Sequence, residues 1–202
     1  MSTTARFTAP AARARGRERQ LTAFSPRLGR QLTLGGGGAH RLWLMIEADA
    51  SIVAFCERPL VIQIAGRERA VDFWVQQADG EEALLCLWHR PEPIDPPVWD
   101  SMMVRAVGDA EIRATQMWTN NWERILPVLV ATRGLVKPAL RDEILKRCAR
   151  PLALAALQRL DIEPDPMLLR GAVFDLLHRG WLQAEALRTE SVSPLTQFVC
   201  TR

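Results

Sequence analysis

Residues 83–89 (ALLCLWH) are apolar on both alternating faces, and they constrain the fold more than any other stretch. A strand of this kind belongs inside a sheet covered on both sides. Two strand-like runs precede it. Residues 52–64 are β-branched and broken near Pro59; in residues 69–77 (RAVDFWVQQ), Val71, Phe73 and Val75 alternate with Asp72, Trp74 and Gln76. Gly66-Arg67 and Asp79-Gly80 supply turn chemistry between the runs, so an antiparallel meander is expected. A short helix over 39–48 (AHRLWLMIEA), with Leu42, Met45 and Ile46 on one face, comes before it. The run Gly35-Gly36-Gly37-Gly38 reads as a flexible break. No Gly-Lys-Ser/Thr follows it, so it opens no Walker phosphate loop.

Beyond the proline-rich residues 91–97 (PEPIDPP), residues 98–107 read as a helix, 111–118 as a strand and 121–132 as a helix around Pro127. A meander followed by a crossover makes a small mixed sheet covered by helices. A second unit starts near Leu135. It holds predicted helices over 141–150, 151–160 and 167–178, the last stopped by Gly180 as a glycine cap. Strands around 182–187 and 196–200 then form a terminal hairpin. Three helices and a hairpin in that order describe a winged helix; a helical appendage packed on the first domain is the alternative. The expected organisation is an arm over 1–23, an α/β (α+β) domain over 24–133 and a winged-helix-like domain over 134–202.

Charge is informative only when divided by region. The chain carries +3 overall, yet residues 1–34 hold seven arginines against Glu18 alone, which leaves the rest at −3. Residues 1–20 are Ala/Thr/Arg-rich, expected to be disordered when free, and lack the apolar core of a secretory signal. A basic arm on a nucleic-acid-binding protein explains them better than an organelle transit peptide. Arginine outnumbers lysine 24 to 2, which either codon usage or phosphate contact would explain. No apolar run approaches the ~18 residues of a membrane span, so no membrane association is expected. The four cysteines (Cys56, Cys86, Cys148, Cys200) form no CxxC pair, which argues against a disulfide scaffold or zinc ribbon and for reduced thiols in a cytoplasm.

Residues 47–60 (EADASIVAFCERPL), followed by Val71-Asp72-Phe73, Ala78-Asp79-Gly80 and residues 84–87, resemble the TnsA endonuclease subunit of heteromeric cut-and-paste transposases. Residues 121–129, 174–181 (FDLLHRGW) and Ser193-Pro194-Leu195-Thr196 are similar to the later part of that family, so the resemblance spans about 24–200. It implies a restriction-endonuclease-like mixed sheet flanked by helices, the PD-(D/E)xK fold, followed by a winged helix. It also implies Mg²⁺-dependent phosphodiester hydrolysis, a DDE-type transposase and an AAA+ ATPase as partners, and DNA as the substrate.

That chemistry needs carboxylates on the metal and a lysine to stabilise developing charge. The resemblance puts the strand aspartate at Asp72, which is retained. It puts the helix glutamate at about Ala39, the acid or amide at Cys86 and the lysine at Trp88, so three of these four positions are lost. Glu47 is too far round the helix to substitute, Glu81 and Glu82 sit at the turn, and His89 points to the opposite face. Arg90 shares the face of Cys86 and Trp88 and suits a phosphate rather than a metal. The blander reading of Asp72 is a salt-bridge or turn acid near Arg67 or Arg69. Cys86 reads as a small buried hydrophobe, and Trp43, Trp74 and Trp88 as core before base-stacking platforms; Trp88 would plug an emptied metal pocket. The histidines (His40, His89, His178) have no zinc spacing, and no metal site or cofactor is expected. The leading expectation is a catalytically degenerate TnsA-like subunit that binds DNA and protein partners. Its phosphate contacts would be Arg13, Arg15, Arg17 and Arg19 on the arm, with Arg141, Lys146, Arg147 and Arg150 as a second basic face. The alternatives are an active metal-dependent endonuclease using Asp72 with other ligands, and a protein-only scaffold or regulator of a transposase.

Overall fold

The computed structural model describes residues 6–7, 19–64, 66–89, 98–160, 162 and 165–201. The chain divides into two compact units, Met1–Glu47 with Ser51–Ala114, and Ala48–Ala50 with Thr115–Arg202. The division falls between residues 114 and 115 rather than at the expected junction after 133.

The first unit begins with a hairpin of β1 (Gln20–Ser25) and β2 (Arg30–Gly35), paired antiparallel throughout. This hairpin cuts into the stretch expected to be a free arm to residue 23. Ahead of it, Phe7 packs edge-on against Trp74 at 5.6 Å. The glycine run does not act as a break. Gly36, at φ +77°, turns the chain straight from β2 into α1 (Gly36–Ala48). The helix is held by burial of Leu42, Trp43, Leu44 and Ile46, which outweighs the poor intrinsic propensity of its glycines.

β3 (Ile52–Glu57) follows, then a second hairpin of β4 (Val61–Ile64) and β5 (Arg67–Ala70). The main sheet adds β6 (Phe73–Gln77), β7 (Glu82–Leu87), β8 (Val98–Trp99) and β9 (Met102–Val107), in the order β3-β6-β7-β9-β8. β3, β6 and β7 form the expected antiparallel meander, and β9 runs parallel to β7. β7 is internal, and Leu84, Leu85, Cys86 and Leu87 are all buried, as a two-faced apolar strand requires. One face carries Cys56, Trp74, Leu84, Cys86, Trp88 and Val104 with Ile62 and Ile64 of the β4–β5 hairpin. The unit ends with α2 (Asp109–Ala114).

Two expectations are corrected here. Residues 98–107 form strands, because Met102 and Val104 alternate with exposed Met103 and Arg105, and Asp100 (φ +44°) and Ser101 (φ +65°) make the tight turn between β8 and β9. Positive φ at both central residues is the type I′ hairpin geometry, here without its usual Asn-Gly. Residues 111–118 are helical rather than extended, with Asp109 and Glu111 in the first turn of α2 and Arg113 in the last, matching the helix dipole.

The second unit contains α3 (Gln116–Ala131), α4 (Pro138–Arg147), β10 (Leu152–Ala153), α5 (Leu154–Gln158), α6 (Pro166–His178), β11 (Leu182–Gln183) and β12 (Gln197–Cys200). Its three short strands pair antiparallel in the order β10-β12-β11. Asp165 caps α6 through its side chain and Met167 N–H at 2.8 Å. Residues 182–187 are only partly strand, since Glu185–Arg188 form a 3-10 turn. No described helix is long and apolar enough to cross a membrane. The fold class is mixed α/β, a mixed five-stranded sheet flanked by helices.

Candidate functional site

Asp72 sits at the bend between the β4–β5 hairpin and β6, on the wall of a cleft of about 550 Å³. Its Oδ2 accepts a hydrogen bond from Leu87 N–H at 2.7 Å, which ties the start of β6 to the end of β7. The cleft is lined by Gly35 at the end of β2, Gly38 and Arg41 of α1, Arg58 after β3, Glu68 to Asp72, Leu87, His89, and Asp109 and Ile112 of α2. His89 Nδ1 lies 2.9 Å from Asp109 Oδ1, so α2 contributes an acid that no sequence motif marked.

The other positions that the resemblance assigns, Ala39, Cys86 and Trp88, are not among the residues lining this cleft. Ala39 is buried in α1, where its neighbours Gly38 and Arg41 line the cleft instead. Cys86 and Trp88 are buried in the apolar cluster on one face of the sheet, while Leu87 and His89 line the cleft. Trp88 is therefore core and does not plug the cleft. Burial, reinforced by the negative charge of Asp72, pushes the Cys86 thiol up to about 12, so it is held as the neutral thiol near neutral pH. His89 was set aside as facing away, and it is that orientation which brings it into the cleft.

Other acids are taken up by structure. Glu47 is fully buried and receives Ser25 Oγ–H at 2.5 Å, Arg27 N–H at 3.0 Å and Trp43 Nε1–H at 3.3 Å. Glu57 is buried and held by a two-pronged bond from Arg30, with both N–O distances 2.7 Å. That carboxylate in turn raises the pKa of Arg30. Glu82 bonds Trp74 Nε1–H and the Gln76 amide. Among the described residues no group of three His, Cys, Asp or Glu could hold a metal ion. A hard divalent cation needs several oxygens converging on one point, and the Asp72 carboxylate with Leu87 N–H on Oδ2 does not fit that demand.

Three arginines, Arg41, Arg58 and Arg69, line the cleft beside three acids, Glu68, Asp72 and Asp109. Arg69 donates to Leu87 O, and its guanidinium carbon lies 4.7 Å over the Trp88 ring. Its Nε is buried without a hydrogen-bond partner. Arg58 has φ +48°, a left-handed conformation uncommon outside glycine, with its N–H donating to Asp72 O at 2.9 Å. Arg41 is exposed and makes no ion pair among the described residues. The sequence signal for these three was only their charge; nothing in their spacing marks them as neighbours.

Of the expected DNA contacts, Arg13, Arg15 and Arg17 lie outside the described residues, and Arg19 is exposed beside β1. The second basic face is largely neutralised. Arg141 bonds Asp175 at 2.6 Å, Arg147 bonds Glu143 at 2.7 Å and Lys146 lies 4.0 Å from Glu143. Arg150 is exposed and outside these pairs, as is Arg170 on α6. No protein-family model matches the chain, and no curated protein matches it.

Proposed function

We propose that the chain is a TnsA-like subunit of a DNA transposition machinery whose nuclease centre has lost its metal chemistry, and that it holds DNA without cutting it. One observation carries the reading. A helix precedes a three-stranded meander and a strand parallel to its third strand, Asp72 lines a cleft beside this sheet, and Cys86 and Trp88, at two other positions given by the resemblance, are buried in the apolar cluster. The second unit adds support, since helix, strand, two helices and two strands, with the sheet order β10-β12-β11, is the order of a winged helix. By the same resemblance its partners are a DDE-type transposase and an AAA+ ATPase in the cytoplasm, with DNA as the bound polymer.

Incubation with supercoiled DNA in Mg²⁺ or Mn²⁺, beside Asp72→Ala, tests this directly. The expected outcome is a DNA mobility shift with no nicking by either protein. Nicking by the wild type that Asp72→Ala abolishes would establish an active endonuclease instead. No shift even at low salt would leave a protein-only scaffold as the reading.

A further inference from the structure

Cys148 and Cys200 meet in the second unit although residues 149–199 separate them in the chain. Cys148 ends α4, and its carbonyl accepts the Cys200 N–H of β12 at 2.8 Å. In a strand ladder a backbone bond of this kind sets two Cα atoms about 5.5 Å apart, inside the about 4.4–6.8 Å that a disulfide spans.

The two side chains also share a side. Along β12, Cys200 lies two residues beyond Phe198, and strand residues at that spacing face the same way. Phe198 is wholly buried, with its ring 6.5 Å from that of Phe174 of α6, so this is the core face of the strand. The helix α4 packs against α6, and Cys148, one turn after buried Ile144, is itself fully buried. Burial is the main reason that the Cys148 thiol rises to about 11, and the charge of Cys200 adds to it. Cys200 is held in place from its other side as well, since it pairs with Leu182 of β11 and the next residue, Thr201, donates its N–H to Trp181 O at 3.1 Å. Of the four cysteines only Cys200 is partly exposed, whereas Cys56, Cys86 and Cys148 are buried.

We propose that Cys148 and Cys200 form an oxidation site that closes to a disulfide when a hydroperoxide reaches Cys200. The Cys200 thiolate attacks one peroxide oxygen and keeps it as a sulfenic acid, while the other oxygen leaves as water or an alcohol. Cys148 then attacks the Cys200 sulfur and gives up its proton. The S–S bond forms, the S–O bond breaks, and the hydroxyl leaves with that proton as water. Two thiols and one hydroperoxide give one disulfide, one water, and a further water or alcohol. The bond ties the end of α4 to β12 and encloses α5 and α6 in its loop, which restrains the unfolded chain over a long span. A pair that closes only under peroxide is a sensing device rather than a permanent staple. This site goes beyond the DNA reading above and does not depend on it.

Peptide mapping by mass spectrometry tests it, on the full chain first reduced and then exposed to hydrogen peroxide. The expected product is a linked pair of peptides carrying Cys148 and Cys200, within one chain, without their two thiol hydrogens, and returned to thiols by dithiothreitol. The oxidised chain should melt at a higher temperature than the reduced one, and Cys200→Ser should lose both the link and the rise. In Cys148→Ser, the Cys200 sulfenic acid should accumulate and be captured by dimedone. Should that buried variant fail to fold, the link in the wild type and its loss in Cys200→Ser still decide the matter. Oxidation of Cys200 to a sulfinic acid without a link, a link to Cys56 or Cys86, or a Cys200 link between two chains overturns the proposal. A melting temperature lowered by oxidation overturns it too, because the bond would then form only by distorting the fold.

Discussion

Three cysteines carry pKa values set chiefly by burial. Desolvation pushes Cys86 up to about 12 and both Cys56 and Cys148 up to about 11, from a reference of 9.0. Folding therefore favours their protonated form. Below pH about 9 both folded and unfolded chains keep these protons, and the stabilisation is complete. As pH rises from 9 toward 12, the unfolded thiols ionise first and the fold loses stability. Chemical denaturation at pH 8 and pH 10.5 should show this loss, and Cys86→Ala should reduce it. A thiol-reactive probe on the native protein should label partly exposed Cys200 well before the three buried thiols. Labelling of Cys86 at the same rate would mean that the sheet face is open. Cys86 was legible as buried from its place in a two-faced apolar run. The cleft arginines were not legible, because Arg41, Arg58 and Arg69 come to line one cleft only once α1, β3 and β5 have folded, and no local pattern encodes that. Asp72 was found by its sequence context, but its bond to Leu87 N–H depends on the pairing of β6 with β7.

Element by element, the strands with alternating or two-faced burial were readable, and the errors came where local chemistry departs from its usual residues. The β8–β9 turn places Asp100 and Ser101 at positive φ without a glycine, so residues 98–107 read as continuous helix. The β1–β2 hairpin was missed because Arg27 and Arg30 read as arm charge, whereas Arg30 grips Glu57 and Arg27 donates to Glu47 O at 3.0 Å and Ile52 O at 2.5 Å. Removing Arg30 with Arg30→Ala should cost about 3 kcal/mol, since it strands a buried carboxylate, and a urea titration would measure it. In the second unit, Asn121 of α3 holds the segment after the 3-10 turn. Its Nδ2 donates to Leu187 O at 2.8 Å and Glu190 O at 2.7 Å, and its Oδ1 accepts from Val192 N–H at 2.8 Å. Gly171 of α6 faces Thr132, and a Cβ there would lie 2.6 Å from Thr132 Cβ and 2.7 Å from its Cγ2. Helix propensity alone favours Gly171→Ala by about 1 kcal/mol. The steric conflict outweighs it, with overpacking costs of about 1–3 kcal/mol. Gly171→Ala should therefore lower the melting temperature, and adding Thr132→Ala should restore most of the loss. A rise in the single variant would mean that α6 and the end of α3 are further apart.

At the scale of the whole molecule, the division of charge becomes a statement about salt dependence. Each phosphate neutralised by a cation contributes about 0.9 to the slope of log K against log salt on duplex DNA. If Arg13, Arg15, Arg17 and Arg19 all contact phosphates, replacing the four with glutamine should flatten that slope by about 3–4 units. Substitution is the sound test here. Deleting residues 1–20 would also remove Phe7 from its contact with Trp74 and the Arg19 carbonyl that accepts Gly36 N–H at 2.9 Å, so lost binding would be confounded with lost structure. The helix charges of the second unit should behave differently. Arg141, Lys146 and Arg147 already face Asp175 or Glu143, and moving such a side chain onto a phosphate means breaking one ion pair to form another. Replacing those three together should change the slope by less than about 1 unit. Replacing Arg150 and Arg170, which lie outside those pairs, should change it by about 2 if α6 meets the backbone. Filter-binding titrations between 50 and 200 mM salt on the three variants would rank them. Equal slopes for wild type and the arm variant would remove the arm from the interface, and a large effect from the paired trio would mean that DNA pulls those ion pairs apart.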